Sequence, residues 1–301
     1  MEQHLRVVQL NIGSLFEPDW EQRRHEIVSW LDHLSPDVVC LQEVTQSAAG
    51  NTAEWIAAAA NGAWQFAFGG GAFDQAIWPD NQLTFGSAVL SKWPIEAQNY
   101  RRLGIVDDNP IDLAVPWEVM HARTAGLDVF ATHLAAAPMS AANRLAQVVE
   151  IDTFVKKIRG TVDDFTFGKR RDAMPAILCG DFNAEPDSDE IRFMSGLTDI
   201  EGRRTYWQEA WRVAGEHSQG YTQDWRTNAI AGGLNIPRKR IDYVFVGDPF
   251  RRDGNAGRVV DAKLAFHTQR TGVVASDHNG LVVDIVWPDR PVSDARSTAA
   301  S

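Results

Sequence analysis

The feature that most restricts how this chain can fold is a repeated ending. Short runs rich in valine, isoleucine and leucine, the composition of buried strands, break off at a carboxylate, an amide or an imidazole. VVQLN ends on Asn11, VVCLQE on Glu43, VFATH on His133, and AILCGDFN on Asp181 and Asn183. RIDYV carries Asp242, and ASDHNGLVV sets Asp277 and His278 just ahead of its apolar run. A carboxylate at the end of a buried strand is costly unless it is paired, solvated or bound to a cation. One such residue would pass for a cap or a solvated turn. Their recurrence points to a shared site, because open α/β sheets gather their chemistry at strand ends.

Between these runs lie helical patterns. Asp19 to Leu34 has apolar residues at helical spacing and stops before Pro36, Thr52 to Ala60 is a short alanine-rich helix, and Ala141 to Arg159 is the longest amphipathic stretch. DSDEIRFM opens another helix, and Tyr206 to Val213 fits a short one. WQFAFGGGAF reads as a strand running into a glycine-rich turn, and LTFGSAVLSKWPI as a strand bent at Pro94. Tyr100 to Pro116 reads as an irregular excursion, WEVMHARTAGLDVFATH as a hairpin turning at Ala125-Gly126, and Asp163 to Asp172 as a polar loop. VVDAKLAF and NGLVVDIVW close the pattern. No fixed-period repeat or linker divides the chain, so a single α/β domain of residues 1–288 is expected, with 289–301 as a small, polar tail.

Composition excludes several classes. A formal net charge of -11 argues against a protein that relies on non-specific attraction to a phosphate backbone, although a local basic patch can survive a negative total. The two cysteines, Cys40 and Cys179, both sit inside apolar runs and read as buried thiols on adjacent core strands, not as a disulfide framework or metal cluster. The amino terminus moves straight into a strand pattern without a basic and apolar leader, and no apolar run approaches the roughly 20 residues of a spanning helix. A cytoplasmic monomer is the expectation. Eleven tryptophans are many for 301 residues, and most are expected in the core.

Carboxylates and an amide at strand tips are hard oxygen donors, suited to Mg²⁺ or Mn²⁺ and not to the thiolate or histidine-rich sets that hold zinc. The histidines suit contact with a phosphate and stabilisation of a leaving group. The chain has no GxSxG nucleophile motif, which favours direct attack by water, and no GxxxxGK[ST] loop.

Taken in order, LNIG, LQEV, THL, GDFNAEPDS, RIDYVFV and SDHNGLVV resemble the motifs of the endonuclease/exonuclease/phosphatase superfamily over residues 7 to about 285. LQEV or THL alone is weak; GDFN together with a terminal SDH is specific. The resemblance implies the deoxyribonuclease-I-like fold, a four-layer αββα sandwich of two mixed β-sheets flanked by helices. It also implies a metal-dependent phosphoester hydrolase using Mg²⁺ or Mn²⁺. Glu43 would be the principal metal ligand, Asn11 would help hold the metal or its waters, and Asp277 would complete the site. Asp181 would orient and deprotonate the attacking water, with Asn183 contacting the phosphate beside it. His278 would donate to a phosphate oxygen while Asp242 pairs with its other nitrogen, and His133 would face the phosphate from the opposite side. Other readings stay open at single residues: Asp242 could pair with Arg240 or Arg123, Asn183 could cap a turn, and His133 could be a satisfied strand-end histidine. Arg144 and Gln147, three apart on one helical face, suit a helix-to-sheet hydrogen-bonding role as well as a functional one.

Substrate is the open question. Gly13 stands where AP endonucleases carry an acid two residues after the asparagine, and neither a signal peptide nor a disulfide of the secreted deoxyribonucleases is supported. KRIDYVFV differs from the corresponding string of inositol 5-phosphatases. What remains resembles the bacterial branch with sphingomyelinase-like or deadenylase-like motifs, whose substrate could be a small phosphoester, a lipid head group or a nucleic acid. A nuclease acting on DNA or RNA and a non-catalytic binding module are the alternatives. Specificity is expected in Gly69 to Asn81, Tyr100 to Trp117 and Ser218 to Arg238, the last carrying Trp225 among basic residues.

Overall fold

Alternation along the strands builds the interior. The computed structural model describes residues 2–79, 81–160, 174–231, 237–247 and 252–291. The expected loop at Asp163 to Asp172 and most of the expected tail lie outside them, as does part of Ser218 to Arg238. One mixed sheet has the order β12 (Val259–Ala265), β13 (Gly280–Val286), β1 (His4–Asn11), β2 (Val38–Ser47), β5 (Thr84–Ser91), β4 (Gln65–Ala72), with the two-residue β3 (Gly50–Asn51) pairing β2. The second has the order β10 (Trp207–Glu209), β11 (Asp242–Gly247), β9 (Ile177–Asp181), β8 (Leu127–His133), β7 (Glu118–Thr124), β6 (Ile95–Arg102). One parallel pair sits at the centre of each sheet, β1 with β2 and β8 with β9.

Three apolar layers hold these sheets in the expected four-layer sandwich. Leu5, Val7, Val38, Cys40, Val129, Ile177, Cys179, Val244 and Val283 fill the space between the sheets. Val8, Leu10, Val39 and Leu41 face the other way, against Ile27 and Leu31 of α1 (Trp20–Leu34) and Ile56 of α2 (Thr52–Ala59). Phe130, Leu178, Tyr243 and Phe245 cover the outer face of the second sheet, against Val148, Ile151 and Phe154 of α4 (Ala141–Arg159). The remaining helices are short: α3 (Pro110–Ala114), α5 (Asp189–Met194) and α6 (Ala210–Ala214). Burying one leucine- or phenylalanine-sized side chain contributes about 1.5–3 kcal/mol, so each layer is a major source of stability.

Several local expectations change. Pro94 does not bend one strand; β5 ends at Ser91 in the first sheet, and the chain crosses through Pro94 to start β6 at the edge of the second. Edge strand β6 is exposed along most of its length and so lacks the apolar pattern that marks a strand. The glycines of GGGAF lie inside β4, because Tyr100 and Met120 press where a Gly69 side chain would stand, and Gly86 approaches the Gly69 backbone. The excursion after Tyr100 holds α3, capped by the Asn109 side chain, and the expected helix at Tyr206 splits into β10 and α6. Cys40 and Cys179 are both buried, but on facing sheets instead of adjacent strands. Among the described residues no helix is long and apolar enough to cross a membrane. Arg290, at the start of the expected tail, pairs with Asp37.

Candidate active site

The inward column of each strand is apolar until its last position or two. Counting by twos, Val7 leads to Gln9 and Asn11, Cys40 to Gln42, Ala131 to His133, and Cys179 to Asp181. Strand β11 runs the opposite way to β9, so its polar inward residue, Asp242, comes first and pairs in register with Asp181. All these ends meet at one edge of the sandwich. There the loop between β12 and β13 adds Asp277 and His278. The space between the sheets opens into a cavity of about 400 Å³, lined among others by Glu43, His133, Asp181, Asn183, Asp277 and His278.

Glu43 reaches this cavity through a backbone irregularity. Strand alternation would turn either Gln42 or Glu43 away. Instead Gln42 and Glu43 together oppose the single residue Ser87 of β5, a β-bulge, and Glu43 takes φ of 55°. A left-handed conformation costs a residue other than glycine about 1–2 kcal/mol, and such strain collects at functional sites. Asn183 is a second case, at φ of 48°, with its backbone N–H donating to Asp181 Oδ1 at 2.9 Å.

Asp181 Oδ2 is the focus of the site. Asn11 Nδ2 donates to it at 3.1 Å and to Glu43 Oε1 at 3.0 Å. His133 Nε2 lies 3.4 Å from the same oxygen and His278 Nε2 3.7 Å. Asn11 Oδ1 is taken up by the Gly13 N–H, so Asn11 braces two acids with its nitrogen. His278 Nδ1 sits 2.7 Å from Asp242 Oδ2, and the other Asp242 oxygen accepts from Gln9 Nε2 at 3.2 Å. Arg240 pairs with Glu209 and Arg123 with Asp128, so the arginines that might have claimed Asp242 are engaged elsewhere. Asn183 Nδ2 donates to the Leu134 carbonyl and lies 3.1 Å from His133 Nε2, while His133 Nδ1 has no hydrogen-bond partner.

Electrostatics separate the two histidines. Burial disfavours the His278 imidazolium, but the charges of Asp242, Asp277 and Asp181 outweigh it and hold its pKa well above the ordinary value. His133 is pushed down to about 4 by burial, which Asp181 offsets only in part. At neutral pH one histidine is therefore a proton donor and the other is uncharged. Burial and then Asp277 raise the Glu43 carboxyl to about 7. Burial and then Asp242 raise Asp181. Burial would raise Asp277 too, but His278 and contacts from Glu17 and Ser276 leave it lowered.

Two sets of groups could hold a cation. Ligand atoms of Asp181, Asp242 and His278 all fall within 4.8 Å of one another. In that set both Asp242 oxygens and His278 Nδ1 are already committed to hydrogen bonds. Glu43 and Asp277 line the cavity as a second carboxylate set, joined through Asn11 to Asp181.

The structure brings together every residue that the sequence nominated. It also adds polar groups that sequence reading missed. Gln9 contacts Gln42 and Asp242, and Thr222 Oγ1 accepts from the Ile241 and Asp242 backbone N–H groups. Glu17 accepts from the Asp277 N–H at 3.2 Å and pairs with buried Arg23. Gln9 and Gln42 had a signal, a polar residue on the inward side of a buried strand; Glu17 had none. Arg144 lines the cavity while donating to Glu190 and to the Ala135 and Ala137 carbonyls, and Gln147 accepts from the Ala135 N–H. Both fasten the loop that follows His133.

Residues 8–278 match the sequence model described as "Endonuclease/Exonuclease/phosphatase family". No curated protein sequence matches the chain. Similar solved structures include the human Nocturnin catalytic domain with bound sulfate, with 21% identity, a TM-score of 0.63, and 94% of this chain and 93% of that one covered. They also include TDP2 from D. rerio complexed with single strand DNA product, with 18% identity, a TM-score of 0.65, and 94% and 99% covered. An endonuclease/exonuclease/phosphatase from Beutenbergia cavernae is 21% identical with a TM-score of 0.65, covering 94% of this chain and 72% of its own. At these identities the likeness is one of fold.

Proposed function

The chain belongs to the endonuclease/exonuclease/phosphatase family, and on that footing we propose that it is a divalent-cation-dependent phosphoester hydrolase in which Asp181 activates water. Members of this family are in general hydrolases of phosphoester bonds. The observation that carries the reading is the convergence on Asp181 Oδ2 of Asn11, His133 and His278, with Asp242 behind His278.

Glu43 and Asp277 would hold Mg²⁺ or Mn²⁺, with Asn11 bracing Glu43; both residues line the cavity, while Asp242 is not among its lining residues. When bound, such a cation supplies Lewis-acid stabilisation of charge on the phosphoester oxygens. Asp181, fixed by Asn183 and Asn11, accepts the proton of the attacking water. His278, kept protonated by Asp242, donates to a non-bridging oxygen as negative charge builds there. Neutral His133 and the Asn183 amide face the phosphate from the second sheet.

Single-stranded nucleic acid is the second reading of the substrate. Lys239 and Gln223 line the cavity, and beyond them Trp225 is 43% exposed with the Arg226 guanidinium 5.4 Å from its ring. An aromatic face beside cations is how bases and phosphates are held together. TDP2, a structural relative, was solved with a single strand DNA product.

A panel of bis-p-nitrophenyl phosphate, nucleotides, inositol phosphates, sphingomyelin and DNA, assayed with Mg²⁺, Mn²⁺ or EDTA, tests both readings. Asp181→Asn should lower kcat on any substrate found by about 10²–10⁴-fold, the usual worth of a general base, with the fold retained. An unchanged rate in that variant would rule the mechanism out.

A further inference from the structure

We infer that Glu17 is a further positioning residue of the cation site, held by Arg23 and setting the place of Asp277. The inference rests on the cation-dependent reading above and adds a residue to it.

Gly13 lies two residues beyond Asn11 at φ of 58°, and a Cβ placed on it would fall inside the Glu17 carboxylate. Position 13 and residue 17 therefore compete for one volume beside Asn11. The single turn Ser14–Phe16 carries the chain back so that Glu17 fills it. Once there, Glu17 Oε2 accepts from the Asp277 N–H at 3.2 Å, and Ser276 Oγ lies 3.5 Å from Oε1. The same serine donates to the Asn11 carbonyl at 2.7 Å and accepts from the His278 N–H, so Glu17 grips the segment that delivers both Asp277 and His278.

Arg23 shows how firmly this acid is placed. Its guanidinium is buried, with 1% side-chain exposure, and sits 3.2 Å from Glu17 Oε2. It also donates to the carbonyls of Ile12, Ser14, Pro18 and Ala275, which tie the turn after β1 to the loop before β13. An ion pair that only anchored α1 would not need to stand against Asp277.

Metal-free protein should be titrated with Mn²⁺, with free Mn²⁺ read by electron paramagnetic resonance and melting temperature followed alongside. Glu17→Gln keeps size but leaves a single acceptor atom facing Arg23, Ser276 and the Asp277 N–H. It should melt close to wild type and bind Mn²⁺ about 10-fold or more weakly, the usual range for groups behind a metal ligand. The double variant Gly13→Asp, Glu17→Ala returns a carboxylate to the vacated volume from the other side of the turn and should regain most of the lost affinity. Wild-type affinity in Glu17→Gln, or no recovery in the folded double variant, would overturn the inference alone. Absence of Mn²⁺ binding by the wild type would instead remove the reading on which it rests.

Discussion

Asp242 is fully buried, with one oxygen taken by Gln9 and the other by His278 Nδ1 at 2.7 Å. It can act on a substrate only through that histidine. Removing its charge takes away the largest force that keeps His278 protonated against burial. In Asp242→Asn the His278 pKa should therefore fall, and the alkaline limb of the kcat/KM profile should move to lower pH. A pH profile that merely drops in height, with its alkaline limb unmoved, would show that Asp242 does not tune His278. At this scale the legible residues were those at either end of an apolar run, such as Asp181 and His278, because a charged group there has few structural explanations. Glu17 and Arg23 were not legible. Their meeting depends on a tight turn and on a loop 260 residues away in the chain.

Elements decide where those residues point. The bulge in β2 puts Gln42 and Glu43 on the same side, which no alternation rule foresees. At the start of β7, Glu118 pairs in register with His133 and is buried, with 1% exposure. Burial raises its pKa well above the ordinary 4.5, against the lowering effect of hydrogen bonds from Ser87. The folded state thus binds a proton that the unfolded chain releases, and stability from this group is present at low pH and lost as pH rises past the ordinary value. Glu118→Gln removes the dependence. Thermal melts should show the glutamine variant gaining on wild type steadily from pH 5 to pH 8, and a constant difference would contradict the assignment. The helices α1 and α4 were readable nearly to the residue because each has apolar residues at helical spacing and a defined stop, at Ser35-Pro36 and at Gly160. Strand β6 was not, because an exposed edge strand carries no apolar pattern.

Across the whole molecule the two sheets are joined at the site end by acids: Glu43 comes from one sheet, Asp181 and Asp242 from the other. A cation bound there should stabilise the fold by about 2.7 kcal/mol at a hundredfold excess over Kd, seen as a higher melting temperature with Mg²⁺ or Mn²⁺ than with EDTA. Because the cation must displace the proton that Glu43 holds up to about 7, the gain should be smaller at pH 6 than at pH 8. Equal melting temperatures with and without cation at pH 8 would argue against a site of this kind. Local pattern in the chain determined the α/β class, most helices and strands, and the chemical types gathered at the strand tips, since periodicity and burial cost act over a few residues. Only the tertiary structure decided that Cys40 and Cys179 belong to facing sheets, that Pro94 marks a crossing, that Glu43 turns inward, and that Glu17 stands behind Asp277. Those outcomes depend on how two sheets pack and which loops meet at their common edge, and contacts between residues far apart in sequence leave no periodic trace in the chain itself.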